Sequence, residues 1–236
     1  MTHIAYADIS IELFSKGDGS ATSPYIIEKA SQLMFMSFVV NSGTPGYDTA
    51  HYKLATDINL ENELWNGIGT ITNSFKGHFD GDNHTISNLR IENNTSETIC
   101  IGLFGQIDNA FVKNITIKGS VSINKNSSVQ DYCGGICGQA KNSLIYNCHN
   151  ECEISVKGEN NTMFSLEDMA YVGGICGYAV NSEIFFCHNS NTLSTESSTN
   201  GSTESTLIIG GICGHAKAGN KEVASEKLNV AITTKK

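Results

Sequence analysis

Two carboxylates flanking a glycosidic bond are the simplest hydrolytic machinery a chain can carry. The nearest approach to a carboxylate cluster here is Asp57, Asp80, Asp82 and Asp108. Asp57, Asp80 and Asp82 are therefore the candidate catalytic residues of a carbohydrate-active hydrolase or lyase. Two features weigh against that reading. Asp80-Gly-Asp82-Asn has the composition of a tight turn, and a lyase acting on acidic sugars wants clustered cations, whereas Arg90 is the single arginine. Asp80 and Asp82 also offer oxygen ligands to calcium, but in no recognised calcium loop.

The 8 cysteines raise zinc and disulfide chemistry next. Cys133-x3-Cys137 and Cys148-His149-x2-Cys152 depart from the usual zinc-ligand spacings and fall on different strands of one unit. No metal or cofactor is expected. A disulfide from Cys133 or Cys100 to a neighbouring loop remains open. His78, His84, His149, His188 and His215 stand beside no Ser or Cys with an orienting acid, so no triad can be drawn, and the chain has no His-Glu-x-x-His motif.

Most of these residues belong to a repeat. A glycine-bracketed motif occurs at Ile101-Gly-Leu-Phe-Gly105, Gly134-Gly-Ile-Cys-Gly138, Gly173-Gly-Ile-Cys-Gly177 and Gly210-Gly-Ile-Cys-Gly214, its last glycines 33, 39 and 37 residues apart. Such spacings are those of stacked structural repeats. Gly102, Gly135, Gly174 and Gly211 form one equivalent set, and Gly105, Gly138, Gly177 and Gly214 another. Each unit holds three short apolar runs separated by Asn, Ser, Lys and Gly, too short for helices. Three strands joined by bends and repeated along one axis predict an all-β fold, a parallel β-solenoid in which each coil buries its inner face only by stacking on the next.

Columns of like residues follow from that stacking. Cys137, Cys176 and Cys213 share one position with Phe104, and Cys148 and Cys187 share another with Ile115, so these sites accept apolar bulk and read as cysteine ladders. Counting by twos from Ile136, Ile175 and Ile212 turns Cys137, Cys176 and Cys213 outward, beside Gln139, Tyr178 and His215. Unless a corner turns them in, they form a partly covered, redox-sensitive stripe. Asn88, Asn114 and Asn147 read as an asparagine ladder at a corner, interrupted by Phe186, because asparagine tolerates left-handed backbone.

Before the repeats, residues 1–15 alternate as a leading strand and Lys16–Pro24 is a turn-rich connector. From Glu28 to Val40 the period turns helical, with Ala30, Leu33, Met34, Phe38 and Met36 on the apolar side and Asn41-Ser-Gly43 as a stop. A helix there would cap the open end of a solenoid. His51–Leu60 alternates as one strand, and Trp65-Asn-Gly-Ile-Gly69 is a turn with an aromatic anchor. Phe75–Ile91 looks like a diverged coil, with Ile86, Asn88, Leu89 and Ile91 matching Val112, Asn114, Ile115 and Ile117. Residues 124–130, 158–168 and 191–205 read as inserts that leave the coils as loops, where a glycan or protein partner would be met. The last coil is ragged, with Val230 and Ile232 as its only matches; a cap or a break in a longer chain would read alike.

Ser23-Pro-Tyr-Ile-Ile, the helix, Tyr52-Lys-Leu-Ala-Thr-Asp-Ile-Asn-Leu, Trp65-Asn-Gly-Ile-Gly, Phe75-Lys-Gly-His-Phe-Asp-Gly-Asp-Asn-His-Thr-Ile-Ser-Asn-Leu and the glycine repeats resemble, in that order, GLUG-motif proteins, over residues 17–216. The resemblance implies a right-handed parallel β-helix of bacterial cell-surface proteins, among them adhesin-like proteins and the non-catalytic parts of IgA-specific metallopeptidases. It supplies no catalytic residue. The expectation is a helix-capped β-helix, residues 1–74 forming the cap and first irregular coil and 75–236 the repeated coils of one continuous domain. Its expected role is a non-enzymatic surface scaffold or adhesin-like module, against the alternatives of a carbohydrate-active enzyme or a spacer within a larger protein.

The 236 residues, 39% of them hydrophobic, are enough for a core, and a formal charge of −9 excludes nucleic acid and anionic membrane as natural partners. No run approaches a membrane span. The N-terminus lacks the basic start and apolar stretch of a signal peptide, which suits an internal protein, a mature chain or a piece of a longer one.

Overall fold

The computed structural model describes residues 13–93, 99–125, 130–158, 170–197 and 207–218. The leading strand expected over residues 1–15 falls almost wholly outside them, as do the counterparts Val230 and Ile232.

Apart from one helix the described chain is β-structure in three parallel sheets. At its start, β1 (Tyr25–Ile27) leads into α1 (Ala30–Asn41), then β2 (His51–Leu54), β3 (Ile58–Asn59), β4 (His78–Asp80) and β5 (Thr85–Asn93). From there the chain visits three sheets in rotation. It runs through β6 (Ile99–Ile101), β7 (Phe104–Asp108) and the long β8 (Phe111–Lys125), then β9 (Asp131–Gly134), β10 (Cys137–Lys141) and β11 (Leu144–Gly158). A third circuit is β12 (Ala170–Gly173), β13 (Cys176–Val180) and the broken series β14 (Glu183–Phe185), β15 (His188–Asn189) and β16 (Leu193–Ser197). A fourth begins with β17 (Leu207–Gly210) and β18 (Cys213–Lys217). Sequential strands thus lie in different sheets, and each pairs in parallel with its counterpart one circuit on: β6-β9-β12-β17, β7-β10-β13-β18, and β8-β11 with β14, β15 and β16.

The glycine motif works at the turn between two of these sheets. A Cβ on Gly138 would come within 2.4 Å of Ile101 N, and one on Gly177 within 2.4 Å of Cys133 N. The backbones of neighbouring sheets therefore touch at this column, and a methyl group would force them apart. The preceding glycines serve a different neighbour: Cβ atoms on Gly135 and Gly174 would strike the side chains of Asn150 and Asn189. Fully buried Asn150 bonds Asn189 at 2.9 Å and takes the Cys152 N–H at 3.0 Å, so a buried amide is satisfied where the long strand turns.

The core is continuous from the helix to the third circuit. β2 pairs with β4 and Ile68 with Phe104, so pairing crosses the 74/75 boundary. Gln32 reaches back to accept from the Glu28 and Lys29 N–H groups and caps the start of α1. The helix packs Leu33, Met36 and Val40 into the core, while Ser37 and Asn41 bond Gly67 O. Beneath it Phe14, Tyr25, Tyr47 and Tyr52 form a ring cluster. Phe38, expected on the apolar side, is instead 65% exposed. It lies five residues on from Leu33, about 140° round the helix.

Three further expectations change. His51–Leu60 is two strands, β2 and β3, broken at Ala55–Asp57. The diverged coil does not sit at one offset: His78 pairs with Phe111, Ile86 with Ile117 and Ile91 with Val121. Gly81–His84 is a wider turn than the Asn114 corner, and a bulge at Asn88 removes one more residue from register. Lastly, the inserts are shorter than expected. Asn124 and Lys125 end β8, Gly158 ends β11, and Leu193–Ser197 forms β16. Apart from Gln130, Asn191 and Thr192, the remainder of those loops lies outside the described residues.

Candidate functional site

Each of the candidate carboxylates has its own partners. Asp57 accepts from Thr85 N at 2.9 Å and faces His84 Nδ1 at 3.1 Å. Asp80 accepts from Asp82 N and Asn114 Nδ2 and is bridged by Lys113 at 2.9 Å. Asp82 pairs with Lys53 at 3.0 Å, and Asp108 takes Nδ2 of Asn109 and Asn142. Partial burial pushes the Asp80 carboxyl up, but the Asp82 N–H, Lys113 and Asn114 outweigh it and hold it below the ordinary value. The Thr85 N–H and His84 do the same to Asp57. A general acid needs the opposite shift. Among the described residues no group of three or more His, Cys, Asp or Glu is placed to hold a metal ion.

The cysteine columns stack as aligned but point inward. Phe104, Cys137, Cys176 and Cys213 are successive register partners, as are Ile115 and Cys148. Cys137 and Cys176 are fully buried, so the outer redox stripe does not exist there. Counting by twos from Ile136 fails because a bend separates it from Cys137, and both residues line the core. The eight thiols are free. Cys137, Cys176 and Cys213 each lie within bonding distance of the carbonyl two residues on. Burial pushes the Cys152 thiol up to about 12 and raises Cys133 as well, which leaves both poor nucleophiles and poor metal ligands at neutral pH.

Asn114 and Asn147 sit at one corner with φ 55° and 50°, and Asn147 Nδ2 bonds Asn114 Oδ1 at 2.9 Å. Asn88 is not on this ladder. It is the bulge residue, φ 55°, bonded to Asn59 Oδ1. A second set of left-handed asparagines aligns in the repeat: Asn109, Asn142 and Asn181, with φ 53°, 47° and 49°. Asn181 bonds Asn142, and Asn142 bonds Asp108.

The surface that stands out chemically lies on the outer side of β11 and β14. Tyr146 is the register partner of Phe185, and they are 37% and 42% exposed. Phe186, 80% exposed, turns its ring to Tyr146, with centroids 5.5 Å apart at 80°. Beyond the corner, at the next register pair, the His149 and His188 rings lie 4.8 Å apart. Partial burial, then the neighbouring His188, lowers the His149 pKa and favours the neutral ring. In sequence, Phe185-Phe186 signalled itself only as two adjacent aromatics where the preceding repeat has Tyr-Asn.

No protein-family model matches the chain. It is similar to "Halomucin" of Haloquadratum walsbyi, 30% identical over 142 residues, which is 55% of this chain and 2% of halomucin. It is also similar to the "Putative Gly-rich membrane protein" of Evansella cellulosilytica, 35% identical over 123 residues, 49% of this chain and 13% of that protein. The chain thus spans a small part of the length of these relatives. Among solved structures it is similar to a putative immunoglobulin A1 protease from Bacteroides ovatus, at 18% identity and a TM-score of 0.36, covering 87% of each chain. No helix among the described residues is long and apolar enough to cross a membrane.

Proposed function

We propose that this chain is a stretch of right-handed parallel β-helix of the GLUG-repeat type, closed at one end by α1, and that it serves at the cell surface as a non-enzymatic, adhesin-like binding module. The observation that carries the non-enzymatic reading is the state of Asp57, Asp80 and Asp82. Each carboxylate is engaged by a separate cation or N–H group, and Asp57 and Asp80 are held ionised rather than protonated. Neither Asp57 nor Asp80 is poised to donate a proton to a leaving sugar, and Asp82 is held in an ion pair with Lys53. The surface location draws support from the likeness to halomucin and to a protein named as a membrane protein. In-register stacking supports the scaffold: a rigid body built by repetition offers one long side as a recognition surface.

The test is a glycan array probed with the intact protein, followed by mass spectrometry of every glycan that binds. Capture with the glycan recovered intact is the expected result. Cleavage products would overturn the non-enzymatic reading and return attention to Asp57, Asp80 and Asp82.

A further inference from the structure

The corner at Asn114 and Asn147 requires left-handed backbone, which asparagine tolerates and a bulky side chain does not. One circuit on, Phe186 occupies that position with φ 52°. A phenylalanine there keeps the strain and forgoes the amide that would continue the ladder. Nor is the ring sheltered, since Phe186 is 80% exposed and meets Tyr146 at a right angle. Strained, exposed aromatic residues persist where something outside the fold uses them.

We propose that the Tyr146–Phe186 pair is a binding platform for neutral, pyranose-containing glycans. The proposal rests on the binding-module reading and moves the contact from the insert loops to the outer face of β11 and β14. Three observations select this ligand. First, Phe186 stands 80% exposed on its corner and offers an open flat face rather than an enclosed slot for an apolar peptide side chain. A pyranose needs only one flat aromatic face for its axial C–H bonds, and its hydroxyls stay in water. Second, the charges on these strands are already matched: Lys113, the register partner of Tyr146, with Asp80 at 2.9 Å and, further along, Lys118 with Glu151 at 3.0 Å. An ionic ligand finds no uncompensated cation in these pairs, and exposed Glu183, at the start of β14, repels uronic and sialic acids. Third, Asn147 follows Tyr146 in the chain and holds the corner position one circuit before Phe186, and its amide oxygen suits a hydroxyl partner.

The experiment is saturation-transfer NMR with calorimetry on the whole protein, using cellohexaose, mannohexaose and galactohexaose, with polygalacturonate as the anionic control. The expected result is weak millimolar binding of at least one neutral hexaose and none of polygalacturonate. Phe186→Tyr keeps a flat ring and should bind within about threefold of wild type, whereas Phe186→Asn and Phe186→Leu should each lose about tenfold or more. If Phe186→Leu binds as wild type does, the site reads apolar bulk and the glycan assignment fails. Self-association that Phe186→Asn abolishes, with no sugar signal up to about 10 mM, would assign the face to a second copy of this chain and also overturn it. Either failure leaves the non-enzymatic reading standing. Hexaose cleavage in the same tubes would sink that reading instead.

Discussion

Two corners of this molecule make the same demand of the backbone and receive different residues. At the first, which closes β7, β10 and β13, Asn109, Asn142 and Asn181 all take φ near 50°; Asn181 bonds the Asn142 amide, and Asn142 and Asn109 both bond the Asp108 carboxylate. At the second, Asn114 and Asn147 do likewise, and Phe186 then takes the position with φ 52°. The fold requires a left-handed residue at both places. It does not require that the residue be asparagine, and a single substitution on a repeated frame is enough to turn a structural column into a recognition surface. Regular columns therefore report architecture, and a break in one points to function.

The first corner should be the more fragile. Asn142→Ala places a Cβ-bearing non-asparagine in left-handed backbone and removes bonds to Asp108 and Asn181. It is expected to cost about 2–3 kcal/mol, read as a lower urea midpoint. Asn142→Gly relieves the backbone part and should cost about 1 kcal/mol, which separates the ladder from the turn. At the second corner the sign reverses. Phe186→Asn continues the ladder and should stabilise by about 1 kcal/mol, a rise of a few degrees in Tm. The smallest effect is electrostatic, below the second corner at Asp80. Its pKa is lowered in the folded state, so its contribution is present above the unfolded value of about 3.9 and is lost as pH falls through the folded value. After solvent screening that contribution is about 0.5 kcal/mol or less. Asp80→Asn should flatten the wild-type decline in stability below pH 4 by that amount and leave stability near neutrality lower by the same margin.

Much of this architecture was legible in the sequence because stacking copies side chains into columns. The alignment that placed Phe104 with Cys137, Cys176 and Cys213 gives the register partners of the structure. What failed were inferences that carried a period across a bend. Counting by twos from Ile136 turns Cys137 outward only if no corner intervenes, and the bend at Gly135 and Ile136 resets the alternation. Matching Asn88 to Asn114 assumes an offset of 26 residues, whereas the register partners of this stretch lie 33 residues apart before the Gly81–His84 turn and 30 after the Asn88 bulge. Phe38 was placed by helical spacing too coarse to tell the buried face from its neighbour. The candidate site was the least legible part. Phe186 appears in the sequence only as an interruption, and its positive φ, exposure and approach to Tyr146 exist only once β11 and β14 are paired.

The claim that Phe186 is kept for recognition at the expense of stability has one direct test. Wild type and Phe186→Asn are melted side by side, with and without the best-binding neutral hexaose. The account predicts that Phe186→Asn melts higher without ligand and gains nothing from the sugar, whereas wild type melts lower and is raised by it. A variant that melts no higher than wild type, or that the sugar still stabilises, would contradict it.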